Sequence, residues 1–170
     1  MTLVMPVPIG VPEVEVRDTP AVSSLVGKAA PAIHASRWLG CSPIHELRGK
    51  IVLLTFWATS CAPCLAEFPQ TESFYRQARQ SGSLVIGLAP WNEDPVRTQR
   101  AAAAKGATFP LALDSASVTA VGWGKTFDAY GTNSLPRHIV IDRQGLVRYQ
   151  GSMLAEAIRV AGSLAGRGRK

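Results

Sequence analysis

The sequence predicts a three-layer α/β protein in which a mixed β-sheet lies between helices. Three observations carry this prediction. The continuous apolar run IVLLTFW, residues 51–57, is typical of a strand buried on both faces at the centre of a sheet. Further short apolar strands alternate with helical patterns, which favours parallel pairing through crossover helices. A hairpin pattern near the C-terminal end then adds antiparallel strands, expected at the edge of the sheet.

The first predicted helix directly follows the central strand. Residues 62–80 place Leu65, Phe68 and Phe74 on one side and polar residues on the other, as expected for an amphipathic helix that covers a sheet. Pro69 lies inside this pattern and is expected to kink the helix, because proline lacks the backbone N–H and its ring crowds the preceding turn.

The remaining elements follow from capping and turn residues. Asp94 and Pro95 supply an N-cap and a first-turn proline for a second helix, which Gly106 stops. A third helix is predicted more weakly, because Gly122 and Gly124 lower its helix propensity. In chain order, the segments after the first helix are a strand at 84–90, a helix at 94–105, a strand at 109–114, a helix at 118–130, strands at 138–142 and 146–150, and a helix at 155–165.

The 170 residues are predicted to form one domain. Residues 1–27 form an irregular, Pro-rich leader, residues 28–166 the domain, and residues 167–170 a basic tail. The net charge is +6, but the tail carries three of the positive charges, and no basic–aromatic patch accompanies them. Nucleic-acid binding is therefore not expected.

The N-terminus fits two situations. No stretch of the sequence approaches the roughly 18 consecutive apolar residues of a transmembrane helix, so none is expected in this chain. The opening residues MTLVMPVPIGVPEVEVRDTP lack the charged start and long apolar run of a secretory signal. Met1 is thus either the natural start of an intracellular protein, or a targeting segment lies outside this sequence. Three cysteines are too few for a disulfide-built scaffold.

Two of the cysteines, Cys61 and Cys64, lie where the central strand meets the first helix. The unpaired N–H groups and positive dipole of a helix N-terminus favour a thiolate at Cys61, and the thiolate is the attacking species in disulfide exchange. Cys64 follows on the same helical face, close enough to form a disulfide with Cys61. The spacing predicts that Cys61 attacks a substrate disulfide and that Cys64 resolves the mixed disulfide.

Glu67 continues the same helical face, three residues after Cys64. A carboxylate beside a resolving thiol is able to accept its proton and return it as a general acid. The simpler alternative is that Glu67 is a solvated residue of the first helical turns, since structural charges outnumber catalytic ones.

A zinc site is the alternative interpretation of the cysteine pair. Cys41 and His45 are spaced as a second half site, and with Cys61 and Cys64 they complete a Cys3His set. Structural zinc sites, however, favour short loops that the metal organises, whereas this pair lies at a strand–helix junction of a domain with its own core. Cys41 is interpreted as a bystander thiol.

The assembled pattern resembles the TlpA/ResA-like thiol–disulfide oxidoreductases of the thioredoxin superfamily. The resemblance spans nearly the whole chain after the leader. The block of a buried strand, Phe-Trp-Ala, CxxC, and then a glutamate and a proline is highly specific. The matching segments are GKAAPAIHA (27–35), LRGKIVLLTFWATSCAPCLAEFP (47–69), FPLALD (109–114) and YGTNSLPRHIVIDRQGLV (130–147).

The resemblance implies a role for each matching residue. Cys61 matches the attacking cysteine, Cys64 the resolving cysteine and Glu67 the acidic residue beside the active site. Pro136 matches the cis-proline that faces the CxxC pair, and the backbone of Leu135 is then expected to pair with an extended substrate strand. The residues assigned to substrate contact are Leu135, Pro136, Trp57 and Arg137.

Three departures from the family pattern concern the tuning of the thiols. Ser60 stands where many relatives have tryptophan, and Thr55 stands where thioredoxin has a buried aspartate, which leaves Glu67 as the candidate proton acceptor. Arg137 and His138 replace small hydroxyl residues. A cation near Cys61 stabilises its thiolate, but Arg137 is equally well interpreted as a surface contact for an acidic partner.

These observations predict a thiol–disulfide oxidoreductase, acting as a reductant on protein or peptide partners without an organic cofactor or a metal. An upstream electron donor or acceptor and a monomeric state are also expected. The resemblance implies an extracytoplasmic location, periplasmic or membrane-associated, or a cytoplasmic one if Met1 is the native start. The alternative is a thioredoxin-like metal-binding or copper-delivery module that uses Cys61, Cys64 and His138 as ligands.

Overall fold

The computed structural model describes residues 24–118 and 122–167. Six strands and four helices alternate largely as predicted, and a single 3-10 turn, Arg79–Ser81, extends the first helix. In chain order the elements are β1 (Ala35–Leu39), β2 (Val52–Phe56), α1 (Ala62–Ala78), β3 (Leu84–Ala89), α2 (Pro95–Ala103), β4 (Leu111–Asp114), α3 (Lys125–Ala129), β5 (Arg137–Ile141), β6 (Val147–Gly151) and α4 (Leu154–Gly166).

The strands form one mixed sheet in the order β1-β4-β3-β2-β5-β6. Strands β2, β3 and β4 are parallel, as the intervening helices predict, and β1, β5 and β6 are antiparallel to their neighbours. Strand β2 is buried along its whole length, which confirms the prediction of a central strand for this apolar run. It is hydrogen-bonded to β3 on one side and to β5 on the other.

The core divides into two clusters, one on each face of the sheet. Alternate residues of β2 supply both clusters, because successive side chains of a strand point to opposite faces. Leu53 and Trp57 pack with residues of α1, α2 and α4 on one face. Val52, Leu54 and Phe56 pack with Phe127 and Tyr130 on the other face, where α3 and residues from the segment 25–47 cover the sheet.

Three features differ from the predicted fold. Strand β1 was not predicted, because its ASRWL segment has no continuous apolar run and, within the described residues, it pairs with β4 alone at the edge of the sheet. Strand β5 is not an edge strand, since it lies between β2 and β6. Helix α3 is much shorter than predicted among the described residues, and it begins only after Gly124.

The late start of α3 has a physical cause. Gly122 and Gly124 have positive φ angles of 68° and 147°, which are not helical. A Cβ atom at Gly124 would collide with the buried carboxyl group of Asp114. That carboxylate accepts hydrogen bonds from the backbone N–H groups of Thr126 and Phe127, at 2.7 and 3.1 Å, so it caps the helix at this point.

The predicted leader and tail lie mostly outside the described residues, which begin at Ser24 and end at Arg167. From Leu25 onward the chain is held to the domain: the Leu25 N–H donates to the Gln150 side chain at 2.9 Å, and the Gly27 N–H donates to the Val147 carbonyl at 2.8 Å. Across the described ranges, no helix has both the length and the apolar character needed to cross a membrane.

Candidate active site

The cysteine pair lies at the carboxyl end of β2, where α1 begins. Cys61 and Cys64 form a disulfide, with Cα atoms 5.3 Å apart. Cys61 is the N-cap of α1, and its Sγ accepts a hydrogen bond from the Cys64 N–H at 3.3 Å. The two sulfurs differ in access, because Cys61 is half-buried whereas Cys64 is 2% exposed. Of the pair, Cys61 is therefore the sulfur that an external disulfide reaches.

Residues in the first turn and in the interior of helix α1 fix the position of the Cys61–Cys64 pair. Pro63 occupies the first turn, where its missing N–H costs no hydrogen bond. Pro69 lies inside the helix, at the predicted position. Phe68, the residue immediately before Pro69, is buried and stacks edge-on against Trp57 and Phe109, with ring centroids 4.8 and 5.2 Å from its own. These contacts fasten the start of α1 to the sheet.

A hydrogen-bond chain connects Glu67 to the sheet. The Nε2 of His138 lies 3.0 Å from Glu67 Oε2, and the Nδ1 of His138 lies 3.0 Å from the hydroxyl of Thr55. Thr55 and His138 are directly opposite each other on β2 and β5, and both project from the face of the sheet that α1 covers. Glu67 is thus not the fully solvated residue of the simpler interpretation, since its side chain is 27% exposed and partnered.

Burial sets the protonation states of His138 and Glu67. It lowers the pKa of His138 to about 4, so the imidazole is neutral near pH 7. It also raises the pKa of Glu67, because a carboxylate loses hydration in this position. The expectation of a cation near Cys61 is therefore not met by His138.

Pro136 and Leu135 lie immediately before β5, the strand next to β2. The Leu135–Pro136 peptide bond is cis, as the resemblance implies. Both residues are half-buried. Within the described residues, the backbone N–H and C=O groups of Leu135 make no hydrogen bond to another backbone group. They are therefore free to pair with an added strand.

Two residues assigned to substrate contact are placed elsewhere by the structure. Trp57 is 0% exposed and packs against Phe68 in the core, so its ring has no surface to offer a substrate. Arg137 lies opposite Phe56 in the pairing of β2 with β5 and points to the face of the sheet away from α1. Its guanidinium therefore does not meet the expectation of a cation beside Cys61.

Glu93 is a residue near the site that the sequence interpretation missed. It follows β3, and its carboxylate accepts hydrogen bonds from the Thr59 N–H at 3.1 Å and from the Thr59 hydroxyl at 2.6 Å. The Thr98 hydroxyl on α2 lies 3.2 Å from the same carboxylate and donates at 2.7 Å to the carbonyl of Asp94, the residue after Glu93. The available signal was that the carboxyl ends of parallel strands meet at one edge of a sheet, here the ends of β2 and β3.

The structure does not assemble the ligands of the zinc site or of the copper site considered from the sequence. Cys41 lies beside β4, with its Sγ 3.9 Å from the Leu111 carbonyl oxygen, and in the described ranges no three His, Cys, Asp or Glu side chains come together as a metal site. The Cys3His zinc set is therefore not formed. A copper module with His138 as third ligand also meets a difficulty, because both ring nitrogens of His138 are engaged by Thr55 and Glu67.

Comparison with known proteins identifies the family. A profile of the Redoxin family matches residues 26–155, well over half of the chain. The chain belongs to the Redoxin family. Thiol-disulfide oxidoreductase ResA of Halalkalibacterium halodurans is 34% identical over 102 residues, which cover 60% of this chain and 53% of that protein. ResA of Geobacillus thermodenitrificans is 30% identical over 137 residues, 79% of this chain and 74% of the relative.

The Redoxin-family chain spans only about half the length of the first of these relatives. The crystal structure of a thiol-disulfide isomerase from Corynebacterium glutamicum superposes with a TM-score of 0.70 at 23% identity, covering 80% of this chain and 96% of the other. This likeness confirms the predicted thioredoxin-like α/β fold. Together with the ResA relatives, it confirms the resemblance to the TlpA/ResA-like members of the thioredoxin superfamily.

Proposed function

We propose that this chain is a thiol–disulfide oxidoreductase that exchanges disulfides with protein or peptide partners through Cys61 and Cys64. The observation that carries the proposal is the unequal pair at the start of α1, one sulfur accessible at the helix N-cap and the other buried behind it. The similarity to ResA, a thiol-disulfide oxidoreductase by name, supports the same activity.

The proposed reaction moves two electrons from the dithiol to a substrate disulfide. The Cys61 thiolate attacks one substrate sulfur, forms a mixed disulfide and releases the first substrate thiolate. Cys64 then loses its proton and attacks Cys61 Sγ, which forms the Cys61–Cys64 disulfide and releases the second thiolate. Each substrate thiolate takes up a proton, so one substrate disulfide becomes two thiols.

Three further groups have proposed roles in this reaction. The backbone N–H groups at the start of α1 stabilise the Cys61 thiolate. Glu67, one helical turn from Cys64, accepts the Cys64 proton. The backbone of Leu135, beside Pro136, pairs with an extended substrate strand, which supports a peptide segment rather than a small molecule as substrate.

The proposed direction is reduction of the partner, with an upstream donor that regenerates the dithiol, in an extracytoplasmic compartment as the resemblance implies. The direction is measured by equilibrating the purified protein with glutathione buffers and quantifying the Cys61–Cys64 disulfide. A midpoint well below that of the glutathione couple is expected for a reductant. A midpoint well above it would identify an oxidant instead.

The activity is tested by replacing each cysteine in turn. Cys61→Ser should abolish the reduction of insulin disulfides by dithiothreitol-regenerated protein, because the attacking sulfur is gone. Cys64→Ser should still attack but accumulate mixed disulfides, detected by mass spectrometry, because the resolving sulfur is missing. Cys41→Ser is the matched control, and it should retain activity since Cys41 lies beside β4. Full activity of Cys61→Ser would refute the mechanism.

A further inference from the structure

The proposed function leaves the buried imidazole of His138 without a role. This side chain is 1% exposed, yet it is polar and lies on the α1 face of the sheet among apolar core residues. A buried polar group is costly unless its hydrogen bonds are satisfied, and both ring nitrogens of His138 are satisfied, one by Thr55 and one by Glu67. The imidazole therefore links the sheet to the carboxylate proposed as proton acceptor.

The direction of the hydrogen bonds follows from the charge on Glu67. An ionised carboxylate is only an acceptor, so Nε2 of a neutral imidazole must carry the hydrogen and donate it to Oε2. Nδ1 then has a free lone pair and accepts the hydroxyl hydrogen of Thr55. When Glu67 takes a proton on Oε1, Oε2 remains an acceptor, so the Nε2–H bond and the bond from the Thr55 hydroxyl keep their directions. A neutral imidazole thus satisfies Glu67 in both of its protonation states.

The other carboxylate oxygen of Glu67, Oε1, is available to accept a proton. Within the part of the chain that the structure describes, the Glu67 side chain has a hydrogen bond at Oε2 only. Cys64 and Glu67 are three residues apart on α1, so they are neighbours on one helical face. A carboxylate held at Oε2 presents Oε1 in a limited set of orientations, which reduces the entropy lost when Oε1 meets the thiol hydrogen.

We propose that His138, oriented by Thr55, is a positioning residue that holds Glu67 Oε2 so that Oε1 takes the proton of Cys64 during resolution of the mixed disulfide. This inference rests on the proposed function. In the step concerned, the Cys64 proton moves to Glu67 Oε1 and the Cys64 thiolate attacks Cys61 Sγ. The Cys61–Cys64 bond forms as the bond from Cys61 to the substrate sulfur breaks, and the substrate leaves as a thiolate.

The step is measured with an aromatic disulfide, dithiobis(nitrobenzoate), and reduced protein carrying Cys41→Ser. Attack by Cys61 releases one coloured thiolate, and resolution by Cys64 releases a second, so stopped-flow absorbance separates the two phases. His138→Leu should slow the second phase about tenfold or more and leave the first within about twofold, because only the second uses Glu67. His138→Gln, whose amide retains a donor for Oε2, should recover part of the loss.

Glu67→Gln separates positioning from a purely structural role. If His138 acts through Glu67, His138→Leu should add no further slowing of the second phase in the Glu67→Gln background. Effects that multiply, or an unchanged second phase in His138→Leu, would overturn the inference while leaving the oxidoreductase function standing. Absence of both phases in the parent protein would instead overturn the proposed function itself.

The unsubstituted chain provides a test that does not depend on the folding of a variant. It contains three histidines, so nitrogen NMR of histidine-labelled protein resolves each ring, and the signal lost in His138→Gln identifies His138. At neutral pH the expected state is a neutral ring with its hydrogen on Nε2. A hydrogen on Nδ1, or a doubly protonated ring, would contradict the proposed orientation.

Discussion

At the scale of single residues, the site combines two groups whose burial shifts proton affinity in opposite directions. Burial lowers the pKa of His138 to about 4 and raises that of Glu67. The first shift keeps the imidazole uncharged, and the second brings the carboxyl group closer to the affinity of a thiol. Cys64, also buried, faces no fixed positive charge from His138 at neutral pH.

The neutral imidazole predicts a specific dependence of stability on pH. Unfolded histidine binds a proton near its ordinary value of about 6.5, whereas folded His138 does so only at about 4. Between these values the unfolded state binds more protons, so the free energy of unfolding falls as the pH falls. Denaturant titrations of the oxidised protein should lose about 1–2 kcal/mol between about pH 7 and pH 5.

His138→Gln is the control for this prediction, because glutamine does not titrate and the slope should largely disappear. Glu67, the titratable group in contact with His138, acts in the opposite sense at lower pH, since its raised pKa favours the protonated folded state. An identical loss of stability in wild type and His138→Gln would show that other groups cause it.

The sequence marks candidate site residues more readily than their spatial arrangement. Cys61, Cys64, Glu67 and Pro136 are marked by spacing and by resemblance. The contact of Thr55 with His138 spans 83 positions and depends on β5 lying beside β2 in one register, which no local pattern encodes. Trp57 was misassigned for a similar reason, because the face of the strand it occupies becomes clear only when α1 is in place.

At the scale of elements, the turn that carries Cys61 is held by a neighbouring loop. Glu93, between β3 and α2, accepts two hydrogen bonds from Thr59, two residues before Cys61. The Thr98 hydroxyl on α2 lies 3.2 Å from this carboxylate and donates to the carbonyl of the adjacent Asp94 at 2.7 Å. The loop and the first turn of α2 therefore brace the segment that leads to Cys61.

Removal of this brace should affect both stability and rate. Glu93→Ala leaves the Thr59 N–H and hydroxyl without their acceptor, so we expect a loss of about 1–3 kcal/mol in the free energy of unfolding. The first phase of thiolate release should slow by a few fold, because the Cys61 turn becomes more mobile. Glu46→Ala is the matched control: among the described residues this exposed carboxylate accepts from the Arg48 N–H alone, and its loss should change stability by less than about 0.5 kcal/mol. Equal effects of the two variants would contradict the bracing role.

Elements with strong local signals were predicted, and elements defined by pairing were not. The apolar run of β2 and the Asp94 cap of α2 identify their elements directly, and Asp94 indeed accepts from the Arg97 N–H at 2.7 Å. Strand β1 has no such signal, since its stability comes from one-sided pairing with β4. Strand β5 was predicted as part of a hairpin, but its pairing with β2 joins segments far apart in the sequence, so no local pattern indicates it.

At the scale of the whole molecule, one glycine of the sheet leaves room for large side chains from neighbouring segments of the chain. Gly87 lies in β3, and the side chains of Trp57 and Phe109 pack over it. A Cβ atom there would lie 2.8 Å from Leu111 Cδ2, 3.0 Å from Phe109 Cε2 and 3.2 Å from Trp57 Nε1. These neighbours are themselves buried, so none has open space to move into.

Two glycine-to-alanine variants test this close approach. Gly87→Ala should destabilise the protein by about 1–3 kcal/mol, because overpacking forces core side chains from their rotamers. Gly162→Ala, on the exposed side of α4 with nothing within 4 Å of the added atom, should instead stabilise it by about 0.5–1 kcal/mol through helix propensity. Thermal unfolding of both variants compares them directly, and a Gly87→Ala protein as stable as wild type would refute the packing argument.

The position of β5 beside β2 also has a consequence during synthesis of the chain. A ribosome delivers Cys61 and Cys64 long before His138, which contacts Glu67 across 71 positions, and Pro136. A nascent chain that has not yet added β5 therefore carries the thiols without His138 and without the Leu135 backbone proposed to pair with a substrate. Any disulfide formed at that stage with another emerging protein lacks the groups proposed to resolve it. Insertion of β5 beside β2 is thus the folding step that completes the proposed site.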